Sequence, residues 1–73
     1  MNTYRIEVTD TFGGEANYSW VRRFTFKAKS ELGAIQKLAR EYGSGWKRVV
    51  SCGAMSRYNL RGCCVCAFVE CRE

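Results

Sequence analysis

Residues 3–9 alternate in polarity. Tyr4, Ile6 and Val8 fall on one face and Thr3, Arg5, Glu7 and Thr9 on the other, which is the period of a half-buried β-strand. Residues 10–17 contain Gly13-Gly14 and read as a turn or loop. A second alternation follows over residues 18–28. Trp20, Phe24, Phe26 and Ala28 share one face, interrupted by Arg22, while Val21, Arg23, Thr25 and Lys27 share the other. The glycine pair between the two runs predicts an antiparallel hairpin.

The period then changes. Ser30 is a suitable N-cap, and Leu32, Ile35, Leu38, Ala39 and Tyr42 form one helical stripe, with Lys37, Arg40 and Glu41 opposite. Gly43 supplies the stop. Residues 46–52 read as a strand centred on Val49 and Val50, and Gly53 marks a bulge or bend. Residues 55–60 either continue that strand or form a separate one. Asn59 to Gly62 carries turn chemistry, and residues 63–70 read as the last strand. The predicted fold is a single α+β domain over residues 1–73, one helix packed on an antiparallel sheet in the order β-β-α-β-β, with the third strand whole or split.

Such a sheet has one face under the helix and one that nothing in the chain covers. An uncovered face is tolerated when it is polar, and Arg5, Glu7, Arg23, Thr25 and Lys27 would supply it. The last strand differs. Cys63, Val65, Ala67, Val69 and Cys71 alternate with Cys64, Cys66, Phe68 and Glu70, so both faces are apolar for several residues. That predicts a central strand, or an outer face covered by a partner.

The 73-residue chain is 47% hydrophobic, which places it among globular rather than disordered chains. No apolar run approaches membrane-spanning length, and the first residues lack the apolar stretch of a secretion signal. A cytoplasmic setting is expected. The five cysteines, Cys52, Cys63, Cys64, Cys66 and Cys71, lie in the last 22 positions, and histidine is absent. An odd count and the adjacent Cys63-Cys64 pair argue against a disulfide framework. Two separate C-x2-C pairs for zinc are not visible. The reading that remains is reduced cysteines acting as small apolar residues of a strand. No metal and no cofactor are expected.

Catalysis finds little support. Without histidine a cysteine nucleophile lacks its usual base, the acids are scattered, and neither glycine pair matches a phosphate-binding motif. Charge is more informative. Residues 16–61 hold ten Lys or Arg against Glu31 and Glu41, a field that favours acidic partners. Aromatic rings interleave with it: Trp20 precedes Arg22 and Arg23, Trp46 precedes Lys47 and Arg48, and Tyr58 follows Arg57, with Arg61 nearby. Arg22, Arg23, Lys27, Lys47, Arg48, Arg57 and Arg61 are the candidate charges for partner or nucleic-acid binding, with Trp20, Trp46 and Tyr58 as anchors. This composition suits phosphate contact with base stacking and suits a protein hot spot equally.

The run Tyr4-Arg5-Ile6-Glu7-Val8, then Phe24-Thr25-Phe26-Lys27-Ala28-Lys29-Ser30, then Ala34-Ile35 with Leu38-Ala39 and a C-terminal hairpin, resembles small phage or mobile-element accessory proteins of the anti-CRISPR type. That resemblance implies a stoichiometric inhibitor or modulator docking on a host defence or nucleic-acid-handling complex. It transfers no residue roles. The basic charge disfavours mimicry of DNA. The alternatives are a domain that binds DNA or RNA directly, and a small homo-oligomer built by pairing sheet edges.

Overall fold

The structure, a computed structural model, describes residues 1–53 and 55–72, without the side chain of Cys52. Its elements are β1 (Asn2–Phe12), β2 (Glu15–Ala28), α1 (Glu31–Glu41), β3 (Trp46–Cys52), β4 (Met55–Leu60) and β5 (Val65–Arg72). The five strands form one antiparallel sheet in the order β2-β1-β5-β4-β3. The helix therefore crosses from one edge strand to the other, and β5 sits in the middle as its two apolar faces require. Residues 46–60 are two strands, split at Gly53, whose positive φ of 61° makes the turn.

Three expectations need correction. The segment 10–17 is not a loop: β1 runs on to Phe12, β2 starts at Glu15, and only Gly13-Gly14 turns. Both glycines have positive φ, 63° and 86°, as a two-residue hairpin turn of type I′ demands. The last strand begins at Val65, not Cys63. Cys63 and Cys64 belong to the preceding turn and are exposed, because the Cys63 amide donates to Leu60 O at 3.2 Å. Finally, Leu32 is 63% exposed. The buried helix positions are Ala34, Ile35 and Leu38, and Leu32 lies about 100° around the helix from the middle of that stripe. Glu31 takes the place on the sheet side.

Ser30 caps the helix, its Oγ accepting from Gly33 N at 3.1 Å. The core joins Ala34, Ile35 and Leu38 to Tyr4, Ile6 and Val8 of β1, Tyr58 of β4, and Ala67 and Val69 of β5. Register explains the set. Ile6 pairs with Phe24 on one side and Val69 on the other, and Val8 faces Ala67, which faces Tyr58. Paired residues share a face, so one row of apolar side chains lies under the helix. No helix among the described residues is long and apolar enough to cross a membrane.

Candidate interaction surfaces

The same register defines the face away from the helix. One row across it reads Arg23, Glu7, Phe68, Arg57 and Val50; the next begins Thr25, Arg5, Glu70 and Met55. Phe68 on the central strand, Met55 on β4 and Val50 on the β3 edge are its apolar residues, and charged residues on β2, β1, β5 and β4 stand among them. A recess of about 300 Å³ is lined by Arg5, Glu7, Arg23, Met55, Phe68 and Glu70. A second of about 310 Å³ adjoins it and shares Met55 and Phe68, with Val50 and Arg57 on its far side. Met55 and Val50 are exposed. Charges alternate along the rim: Arg23 pairs with Glu7 at 3.3 Å and Arg72 with Glu70 at 3.4 Å.

The β1–β2 hairpin tip reaches over one end of this face. Arg57 Nη2 donates to Gly14 O at 2.8 Å while its guanidinium lies 5.8 Å from the centre of the Phe68 ring. Its Nε is buried without a partner. Behind the tip, β2 carries an irregularity: Thr9 pairs with Val21 and Thr11 with Ala16, so Asn17, Tyr18, Ser19 and Trp20 stand opposite Asp10 alone. Asp10 and Thr9 hold these residues in place. The Asp10 carboxylate accepts from Ser19 N at 3.0 Å, Ser19 Oγ at 2.6 Å and Asn17 Nδ2 at 3.0 Å. Thr9 Oγ1 accepts from Tyr18 N at 3.1 Å and donates to Trp20 O at 2.9 Å. The hydrogen bonds from Ser19 and then Asn17 hold the Asp10 carboxyl well below the usual carboxylate range.

A third cluster gathers on the helix side, where α1 ends. Tyr42 is its hub. Its ring stacks on Trp20 at 6.5 Å, meets Phe24 edge-on at 6.4 Å and tilts against Trp46 at 6.1 Å. Arg22 lies over both Phe24 and Tyr42, 5.7 Å from each ring centre. Trp46 Nε1 donates to Gly43 O at 2.7 Å, and the Arg61 amide donates to Gly45 O at 3.0 Å, which brings the β4–β5 turn to the same end.

The ten residues singled out from sequence therefore do not form one patch. Arg23, Lys27, Lys47 and Arg57 belong to the open face. Trp20, Arg22 and Trp46 meet around Tyr42, with Arg61 bonded through its amide to Gly45, the residue before Trp46. Arg48 and Tyr58 point to the helix side instead. Arg48 lies 3.8 Å from Glu31. Tyr58 is not available as an anchor: it is buried in the core, and its hydroxyl donates to Glu31. Alternation explains the division, since neighbours such as Arg22 and Arg23 point to opposite faces. Phe68, Met55 and Tyr42 were missed, and Arg5, which the alternation places on the open face, was not among the ten. Phe68 was legible as an apolar residue on the outward phase of a central strand; Tyr42 was read as plain core.

Cys63, Cys64, Cys66 and Cys71 are free thiols. Cys66 is fully buried, and burial pushes its thiol up from its ordinary value. Among the described residues no group of three or more His, Cys, Asp or Glu side chains is placed to hold a metal ion. No family model, curated protein or solved structure matches the chain.

Proposed function

We propose that the protein is a non-enzymatic docking module, a phage-type modulator whose open sheet face sits on a host defence or nucleic-acid-handling complex in the cytoplasm. The observation that carries this reading is the row Arg23–Glu7–Phe68–Arg57–Val50. An uncovered antiparallel face is normally polar throughout. Here Phe68, Met55 and Val50, on β5, β4 and the edge strand β3, form an apolar group among charges of both signs, the composition of an apolar interface core with polar surroundings. Glu7 and Glu70 lie on the two central strands, where they would repel a phosphate backbone crossing the sheet. A protein partner fits this face better than bare nucleic acid. The excess of Arg5, Lys27 and Lys47 over paired charge calls for an acidic surface on that partner, and it works against two copies of this chain meeting face to face.

The test is capture from nuclease-treated bacterial lysate by the wild-type chain and by Val50→Glu/Met55→Glu. Both replaced side chains are exposed, so the fold tolerates them. A defined set of proteins retained by the wild type and lost by the double variant supports the reading. Retention that disappears with nuclease, or that the double variant matches, overturns it.

A further inference from the structure

The cluster around Tyr42 has no part in the open face, lies on the other side of the sheet, and has a composition of its own. We infer that this end of the fold binds single-stranded nucleic acid, with a base stacking on Trp20 and phosphates reaching Arg22 and Arg61. The argument begins with Trp20. Trp20 is 38% exposed although its ring stacks on Tyr42, so it is held by a neighbouring ring and still reachable from solvent. An indole supported from behind is a flat platform that any base can cover, whatever its identity.

The platform is also fixed in place. Thr9 Oγ1 bonds the Trp20 carbonyl, and the Asp10 carboxylate holds Ser19 and Asn17 just before it. Alternation from Phe24 through Arg22 already places Trp20 on the helix side, beside Tyr42, and the bonds from Thr9 and Asp10 hold the backbone there. Rigid placement matters because a stacking surface that is already ordered loses little entropy on binding.

The charges around it suit phosphate. Arg22 lies over Phe24 and Tyr42, the latter being the ring on which Trp20 stacks, and is exposed. Arg61 sits in the turn bonded to Gly45 and is exposed. Arg40 lies in the last helical turn, whereas Lys47, next to Trp46 in sequence, points to the open face. The acids of this end are Asp10, whose oxygens accept from three donors on Asn17 and Ser19, Glu15 at the hairpin tip, and Glu41. The open face differs, since Glu7 and Glu70 stand on β1 and β5 among its basic groups. A double helix keeps its bases stacked inside and offers this platform nothing, so the ligand is single-stranded.

The probes are twelve-residue oligo(dT) and oligo(U), titrated at low salt while tryptophan emission is followed. Saturable quenching is expected, with affinity falling as salt rises; each phosphate contact contributes about 0.7 to the slope of log affinity against log salt. A duplex of the same length binds more weakly. Trp20→Ala lowers affinity by about 5- to 150-fold, the loss of one stacked base, with Trp46 left as the reporter. Trp20→Phe keeps most of the affinity, and it preserves the contact with Tyr42 if the alanine variant is poorly folded. Arg22→Gln reduces the salt slope, whereas Lys29→Gln, at the opposite end of the helix, leaves it unchanged. Absence of quenching at low salt overturns the inference. So does equal loss from Arg22→Gln and Lys29→Gln, which would mean diffuse attraction rather than a site. These outcomes do not depend on the open face, so this inference and the proposed docking role fail separately.

Discussion

Tyr58 donates its hydroxyl to Glu31 Oε2 at 2.5 Å, across the gap between β4 and the first turn of the helix. Ser56 donates to the other oxygen of the same carboxylate at 2.9 Å. Glu31 is the one acid of the helix stripe that turns toward the sheet, and these partners explain why it is tolerated there: a half-buried carboxylate needs donors. Charge at this position also suits the helix N-terminus. The helix is thus fixed at its start by polar bonds and at its end by the Tyr42 rings.

Removing that bond has a signature in pH. Burial, then the hydrogen bond to Glu31, push the Tyr58 hydroxyl up from 10.0 to about 12. In the unfolded chain the phenol ionises first, so the unfolded state holds fewer protons than the native one above its ordinary value. The bond's contribution is complete below about pH 10 and is lost as pH rises toward 12. Tyr58→Phe is expected to cost about 1–3 kcal/mol in urea unfolding at pH 7 and to narrow its difference from wild type between those values. A difference that stays constant up to pH 12 would show that the hydroxyl is not held this way.

The helix stripe gives a second prediction. Leu38 is fully buried and Leu32 is 63% exposed, although both fit an apolar stripe in the sequence. Leu38→Ala should cost about 2–5 kcal/mol, the range for truncating a buried leucine. Leu32→Ala should change stability by no more than about 0.5 kcal/mol. Chemical unfolding of the two variants side by side decides it, and comparable losses would mean the helix is rotated on the sheet.

These cases show what was legible. Period and punctuation were enough for the hairpin, the helix and its cap, and the central place of β5, because each depends on a local repeat or on two-sided apolarity. The extent of the hairpin was not, because Asp10, Asn17 and Ser19 are turn-formers by type. Here their side chains instead bond one another and the backbone across two strands. The candidate surfaces were legible only as a parts list. Trp20, Arg22 and Trp46 were chosen for their proximity to other charges in sequence. What joins them is Tyr42, brought between β2 and β3 by a helix that crosses the whole sheet. The apolar group of the open face depends on pairing Phe68 with Arg57, a register that only the folded sheet defines.

The thiols should separate by reactivity. Cys63 and Cys64 are exposed in a turn, while Cys66 is fully buried with its thiol pushed up by burial. The thiolate is the reacting form, so burial slows Cys66 twice, through access and through ionisation. Under native conditions at pH 8, alkylation followed by peptide mass spectrometry should label Cys63 and Cys64 well before Cys66. Addition of a chelator should change neither the order nor the unfolding midpoint. Early labelling of Cys66, or unfolding on chelation, would contradict the placement of β5 or point to a bound metal.

The segment opposite Asp10 carries strain at one residue. Tyr18 has φ of 59°, a left-handed conformation that costs a residue with a Cβ about 1–2 kcal/mol. The residue is 52% exposed, so replacing its side chain forfeits little burial. Tyr18→Ala and Tyr18→Gly lose the same ring, and only the second frees the backbone. Glycine should therefore be the more stable of the two by about 1 kcal/mol, even though it is the more flexible residue when unfolded. Asp10→Ala tests the other half of the arrangement. Without the carboxylate, the Ser19 amide loses its acceptor and should exchange with solvent faster, while amides in the centre of β1 keep their protection. Acid should act like the mutation. The folded carboxyl is held low, so its contribution is present above the ordinary value of 3.8 and fades as pH falls below it. If alanine proves as stable as glycine at position 18, and Ser19 exchange ignores Asp10, then this stretch of β2 is not the rigid support that the exposed Trp20 ring requires.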